Sequence, residues 1–393
     1  MKVKLGEVCE LIRNGVSIKQ LDNAQGIPIT RIETISEKNV DRARMGYADI
    51  FDIEKYKDYV LQDQDILMSH INSEKHLGKS ALYYKKNGEV IIHGMNLLVL
   101  RVKKDKALPI YANYYFNSET FRRNLVNITK KSVNQASFSV SSLKEIPFPQ
   151  ITIDEQIKIA TKLEKIDFLI DLRKKQLEQL DLLVKARFVE LFGNPLDGTA
   201  KYPIHQVGKI AESVDPQPSH RTPPVVENGI PYVSIKDCDY RTGTIDFAGA
   251  RKVSVTVLEE HLKRYTIHNG DFVIGKIGTI GNPIFVPARN DYTLSANVVL
   301  VQPNSELVSP YFLKCSFESD FVERQFAEAK NSTSQAAFGI QKVRAIEVMN
   351  PDIDVQREFE QFVTQVDKSK LAVKQSLEKL ELLKKALMQQ YFG

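Results

Sequence analysis

The sequence predicts a mixed α/β (α+β) chain of two globular domains, each followed by a long helix, with the two helices paired as a coiled coil. Three observations carry this. Residues 130–193 can be laid on residues 330–393 without a gap, at a constant offset of 200, and 20 of the 64 positions are identical. Both copies end in apolar residues at helical 3-4 spacing. Before each helix lie short apolar runs bounded by Gly, Pro and Asn, the pattern of strands and turns. A repeat this long is two copies of one design, not a small solenoid unit.

The first half opens with Val3-Lys-Leu-Gly6-Glu-Val8 and the second with His205-Gln-Val-Gly208-Lys-Ile210, both read as strands. A polar loop follows each (14–23 and 215–224). Next come Gly26-Ile-Pro-Ile-Thr-Arg-Ile32 and Gly229-Ile-Pro-Tyr-Val-Ser-Ile235. Gln64-Asp-Ile-Leu-Met68 and Gly270-Asp-Phe-Val-Ile274 read as buried strands after a turn, and 93–102 and 294–301 as another strand in each half. Helices are expected over 109–126 and 310–328, with Pro tolerated in the first turn. The segment 194–203, with two Pro and a Gly, is the linker. The expected domains are therefore 1–150 and 194–350, with long helices over 151–193 and 351–393.

The long helices rest on spacing. Ile159, Leu163, Ile166, Ile170, Leu177, Leu180, Val184 and Leu191 form one seam; Val363, Val366, Val373, Leu377, Leu380, Leu387 and Tyr391 form the other. Thr152-Ile-Asp-Glu155 is a capping box just after Pro147 and Pro149. The seams are complementary. Where the first copy has Ile170 and Val184, the second has Lys370 and Lys384. Where the first has Arg173 and Arg187, the second has Val373 and Leu387. Each would make a poor homodimer, so the two copies are expected to prefer each other.

Composition narrows the class. A chain of 393 residues with 42% hydrophobic and 26% charged content suits ordinary globular domains. No apolar run approaches 18 residues, so no membrane span is expected. The N-terminal MKVKLGEVCELIRNG lacks an apolar signal core, and a cytoplasmic protein is expected. Cys9, Cys238 and Cys315 are isolated and odd in number. That argues against a disulfide framework or zinc cluster and suits a reducing compartment. A net charge of +5 permits nucleic-acid binding without demonstrating it.

Catalytic motifs fail on spacing. Gly78-Lys79-Ser80 resembles the end of a phosphate loop, but the Gly required five residues earlier is Ser73, and the residues after it read as strand. The glycines of Gly275-Lys-Ile-Gly-Thr-Ile-Gly281 are wrongly spaced for a dinucleotide fold. Asn282-Pro-Ile-Phe285 only partly matches the Asn-Pro-Pro-Tyr/Phe loop of adenine methyltransferases, and no Gly-rich S-adenosylmethionine loop accompanies it. The seven His show no metal-ligand spacing. The expectation is no cofactor, no metal and no catalysis.

Binding chemistry remains. Lys130, Lys131, Ser132, Asn134 and Gln135 form one polar loop; Lys330, Ser332, Thr333, Ser334 and Gln335 form its repeat. Lys, Ser, Thr and Asn meet phosphates, while Gln and Asn can read adenine edges bidentately. His70, Asn72, Lys75, His76 and Lys79 make a second basic-polar loop, with Lys276 and Thr279 in the corresponding place of the other half. Ser219, His220 and Arg221 stand roughly opposite Ser17 and Lys19. Arg31 and Lys236, at the ends of the Gly-Ile-Pro segments, complete the candidates. These two scaffolds with different loops look like readers of different targets. A coiled-coil scaffold binding a protein partner is the competing reading, and an enzyme with an unseen site is a third.

In this order, the motifs resemble the specificity subunit of a type I restriction-modification system. The resemblance covers nearly the whole chain. It rests on the Gly-Ile-Pro segments, Asp65-Ile-Leu and Asp271-Phe-Val, Gly278-Thr-Ile-Gly281, the Ser-x-x-Gln loops at 132–135 and 332–335, and Ile-x-x-Gln at 153–156 and 353–356. The first half departs from it at 69–75. The resemblance implies two target-recognition domains, each reading one half of a split DNA sequence, held apart by antiparallel helices in pseudo-twofold symmetry. It implies a non-catalytic subunit of a host-defence complex, with two modification (methyltransferase) subunits that methylate DNA and ATP-driven restriction subunits as partners. The seam 163–191 is 29 residues, or about 43 Å at about 1.5 Å per residue. Along B-DNA that is about 13 base pairs at about 3.4 Å each.

Overall fold

The structure is a computed structural model describing every residue except 1, 37–38, 133–134, 220, 241, 277–279 and 332–337; side chains 330 and 331 are also outside the description. The chain divides into two compact units, Met1–Lys174 with Gln375–Gly393, and Lys175–Lys374. Each unit therefore takes the beginning of one long helix and the end of the other.

Both units are built on an antiparallel four-stranded sheet of the same order. In the first, the order is Cys9–Asn14, Leu97–Val102, Ile66–Ser69, Ser80–Leu82; in the second, Ala211–Val214, Val298–Pro303, Phe272–Gly275, Gly281–Phe285. The central strands are apolar at successive positions because both faces are covered, so alternate residues enter different cores. Ile66, Met68, Leu98 and Leu100 face a core shared with Tyr111, Tyr115, Phe121 and Phe148. Leu67, Leu97 and Val99 face another with Ile35, Leu61, Tyr83 and Ile91. The second unit repeats this: Phe272, Ile274, Val299 and Val301 on one side, Val273, Val298 and Leu300 on the other.

Two local expectations change. The helices expected over 109–126 and 310–328 are each broken into two, Pro109–Phe116 with Glu119–Ile128 and Pro310–Phe317 with Asp320–Asn331. Local polar groups make the break. Asn117 donates its side-chain amide back to the Asn113 carbonyl at 2.8 Å, and Ser118 Oγ caps the Phe121 N–H at 3.2 Å. The opening segments are also shorter strands than expected, Lys2–Lys4 and Ile204–Gln206, each followed by a short helical turn.

The long helices run Ile153–Phe192 and Ile353–Phe392. The capping box is present: Glu155 N–H donates to Thr152 Oγ1 at 3.3 Å, and Thr152 N–H donates to Glu155 Oε2 at 3.1 Å. Gly193 ends the first helix with φ +77°, where a Cβ would sit 1.9 Å from the Thr199 carbonyl oxygen. Inside the first unit, Lys384 pairs with Asp167, and Arg173 Nε donates to Ser376 Oγ at 3.2 Å. Inside the second, Lys370 pairs with Asp181 at 2.6 Å. In each unit higher numbers on one helix meet lower numbers on the other, so the helices run antiparallel. The lysines replacing seam aliphatics are thus matched by aspartates on the facing helix, which explains the complementarity of the two copies. Phe192 and Phe392, absent from the expected seams, are almost wholly buried, each against its own unit's tyrosines and phenylalanines.

The repeated glutamine of Ile-x-x-Gln pins each helix to its unit. Gln156 is fully buried; its Oε1 accepts the Leu108 N–H at 2.8 Å and its Nε2 donates to the Lys106 and Ile151 carbonyls, both at 3.0 Å. Gln356 accepts the Ser309 N–H at 2.8 Å and donates to the Pro351 carbonyl at 2.7 Å.

Candidate nucleic-acid interface

In the first unit, two of the loops singled out in the sequence are sewn together. Ile71–Asn72 pairs antiparallel with Ala136–Ser137, which pairs with Lys130–Lys131, making a small three-stranded ribbon beyond the main sheet. The Phe138 N–H donates to the His70 carbonyl at 3.3 Å and continues this seam into the core. Ser132 closes the turn, its N–H and Oγ reaching the Gln135 carbonyl at 2.8 and 2.9 Å. Gln135, Lys130 and Lys131 are exposed, and Lys131 pairs with Glu74 of the neighbouring loop. Asn72 is half-buried, its Nδ2 donating to Ser69 Oγ at 3.1 Å. Lys75 is exposed, while His76 and Lys79 are half-buried.

Other candidates lie apart from this ribbon or inside the protein. Ser17 and Lys19 are exposed in the loop after the first sheet strand. Arg31 is half-buried and its Nε donates to Gln20 Oε1. His70 is 7% exposed, edge-on to Phe138, and burial lowers its pKa, so it enters as a neutral ring. His93 is deeper still, and burial holds it at about 4.

In the second unit, Ser219, Arg221 and Lys236 are exposed. Ser219 Oγ accepts from Gln217 Nε2 at 2.8 Å. Lys276 differs from the expected free loop cation. It is 4% exposed, and its ammonium donates to Asp215 Oδ2 at 2.7 Å. The candidates Asn134, His220, Thr279, Ser332, Thr333, Ser334 and Gln335, and the side chain of Lys330, lie outside the described residues.

Sequence reasoning passed over Asp215, Gln217 and His261, which hold the 215–221 loop. Gln217 and Asp215 stood in a stretch read only as polar loop, and His261 lies 44 residues from Gln217 in the chain, so no local spacing signalled the pair. Cys9, Cys238 and Cys315 are buried, which pushes their thiols up to about 12, 11 and 12 and leaves them as small apolar side chains. Among the described residues no group of three His, Cys, Asp or Glu could hold a metal, and no helix is long and apolar enough to cross a membrane.

The arrangement is thus a pair of sheet scaffolds bearing polar, basic loops, and the model of the type I restriction modification DNA specificity domain matches residues 1–182 and 226–382. The chain belongs to this family. It is 38% identical over 209 residues to a putative type I restriction enzyme specificity subunit, MjaX, of Methanocaldococcus jannaschii, covering 53% of this chain and 49% of that relative. It is 27% identical over 176 residues to the EcoKI specificity subunit of Escherichia coli, covering 44% and 38%. Each match thus spans about half or less of the relative. Its fold is similar to the crystal structure of a type I restriction-modification S subunit from M. genitalium, with TM-score 0.57, 13% identity, and coverage of 100% of this chain and 96% of that one. A structure described under complex assembly and conformational transition of the type I R-M system gives TM-score 0.56 at 15% identity, covering 100% and 97%.

Proposed function

We propose that this chain is the DNA-specificity subunit of a type I restriction-modification complex, reading a bipartite, asymmetric duplex target. The observation that carries this is the repeated sheet scaffold bearing different loops in its two copies, within a chain of the specificity-domain family. Two different readers favour an asymmetric target. Lys130, Lys131 and Gln135 in the first unit, and Ser219, Arg221 and the 330–335 loop in the second, are the side chains proposed to meet DNA. Cations and hydroxyls would fix the register on phosphates, and amides would read bases.

The same reading makes two methyltransferase subunits and ATP-driven restriction subunits the partners, in the cytoplasm. The long helices expose Phe168, Leu172, Leu182, Leu382 and Leu383, apolar surface available to such partners. Methylation mapping of cellular DNA with and without the protein should reveal one split motif. In the assembled complex Gln135→Ala and Gln335→Ala should each relax a different half of that motif. Equal weakening on all DNA, unrelated sequence included, would move these glutamines to a phosphate or structural role.

A further inference from the structure

We propose that Asp215 and Lys276 are a positioning pair: a buried ion pair that presents Ser219 and Arg221 of the second unit, with Lys276 acting through them and not on DNA. The inference rests on the DNA-reading role proposed above.

Lys276 is poorly placed for a phosphate. At 4% exposure its ammonium sits 2.7 Å from Asp215 Oδ2, and the Asp215 side chain is itself only 11% exposed. Turning Lys276 outward would strand a buried carboxylate, which is strongly unfavourable. Its backbone is equally committed. Lys276 N–H donates to the Asn297 carbonyl at 2.8 Å, and its carbonyl accepts the Phe338 N–H at 2.9 Å. One residue, at the end of the strand Phe272–Gly275, therefore joins Asp215, Asn297 and Phe338.

Asp215 passes this anchoring along its own loop. Its Oδ1 accepts the Gln217 N–H at 3.2 Å, and Gln217 Nε2 donates to Ser219 Oγ at 2.8 Å and to the Arg221 carbonyl at 3.3 Å. A second buried line supports the same loop. Gln217 Oε1 can only accept, so His261 Nε2, at 2.5 Å, carries the proton, and His261 Nδ1 accepts from Thr293 Oγ1 at 2.5 Å. Tyr265 donates to that hydroxyl at 2.9 Å. Burial lowers the His261 pKa and favours this neutral form. Ser219 and Arg221 thus stand at the end of a framework rooted in the core. The first unit keeps the backbone contact, Phe138 N–H to the His70 carbonyl at 3.3 Å, but has a buried neutral histidine where the second has the ion pair. Holding the reading groups in place lowers the ordering cost of binding and sharpens discrimination between bases.

The test uses the full chain with its methyltransferase subunit and a pool of randomised duplexes. The double variant Asp215→Asn/Lys276→Met removes both charges, so neither is left buried and unpaired. It should relax base preference about tenfold in one half-site, as loss of one well-placed contact does. The other half-site and the salt dependence should not move. Lys276→Arg, which can keep the pair, should retain selectivity. If the double variant unfolds, Asp215→Glu, which keeps both charges but displaces the loop, should relax the same half-site. A uniform loss on every duplex, with the salt slope reduced by about one, would place Lys276 on a phosphate and overturn the proposal; so would unchanged selection by the folded variants. Ser219→Ala/Arg221→Ala separates the levels. If it relaxes one half-site and the pair variants do not, only the positioning role fails. If both half-sites survive it, the loop does not read DNA and the proposal falls with that reading.

Discussion

Replacing Gln156 with alanine should loosen the first unit at a defined place. The side-chain amide of this fully buried residue satisfies three backbone groups, the Leu108 N–H and the Lys106 and Ile151 carbonyls. Each bond contributes about 1 kcal/mol net, and an unpaired buried group costs about 1–3 kcal/mol. The expected loss is about 3 kcal/mol where water partly enters the space left behind. Two compact units make a single global unfolding energy ambiguous, so the assay is hydrogen exchange at the Leu108 amide. A drop of 3 kcal/mol in its opening energy accelerates exchange about 150-fold, at about 1.4 kcal/mol per tenfold. The Ser309 amide, held by Gln356, should exchange as before. Gln156→Glu adds a signed pH dependence. An ionised carboxylate accepts from Leu108 but offers nothing to the two carbonyls, and burial raises its pKa. A raised folded pKa means stability is greatest below the unfolded value of about 4.3 and is lost as pH rises through the folded one. Gln156→Glu should therefore be nearer wild type at pH 4 than at pH 8. Unchanged protection of Leu108 in Gln156→Ala would refute the reasoning.

Four further outcomes are expected. Arg42 beside Glu89 holds that carboxyl at about 2, with help from the Lys86 N–H and the Tyr83 hydroxyl; this depressed pKa adds stability above about pH 4.5 that fades as pH falls toward 2, so Glu89→Gln should flatten the first unit's acid sensitivity, and an unchanged slope would count against it. Asp167→Ala strands the Lys384 ammonium, only 13% exposed, and should cost about 2 kcal/mol, a value discounted because Asp167 keeps 26% exposure; adding Lys384→Met should restore most of it, and additive losses in denaturant titrations would deny the coupling. The chain alone should bind duplex weakly, since +5 is a small electrostatic drive for 393 residues, and tighten with the methyltransferase subunit; tight, specific binding without gain from that subunit would contradict this. Four residues added to both long helices lengthen each by about 6 Å, so the unread spacer of the motif should grow by about one or two base pairs with its half-sites intact; altered half-site bases over an unchanged spacer would move specificity into the helices.

The duplication, the two long helices with their first cap, and the central strands of both sheets were legible before any folding was known. These are local or periodic signals: a capping box at Thr152–Glu155, 3-4 spacing along each seam, and apolar runs at 66–68 and 272–274. The sequence also indicated that each seam was incomplete, through Arg173 and Arg187 in the first and Lys370 and Lys384 in the second. The partners of the two lysines came from the fold, because Asp181 and Asp167 lie far along the chain and meet them through antiparallel pairing. The same limit governs the candidate site. Lys130, Lys131 and Gln135 were legible as an exposed polar loop and remain on the surface. Lys276 read identically as a loop cation, yet it is buried, because whether a lysine reaches solvent depends on the carboxylate facing it. That carboxylate, Asp215, is 61 residues away, and pairing over such a distance leaves no periodicity in a sequence.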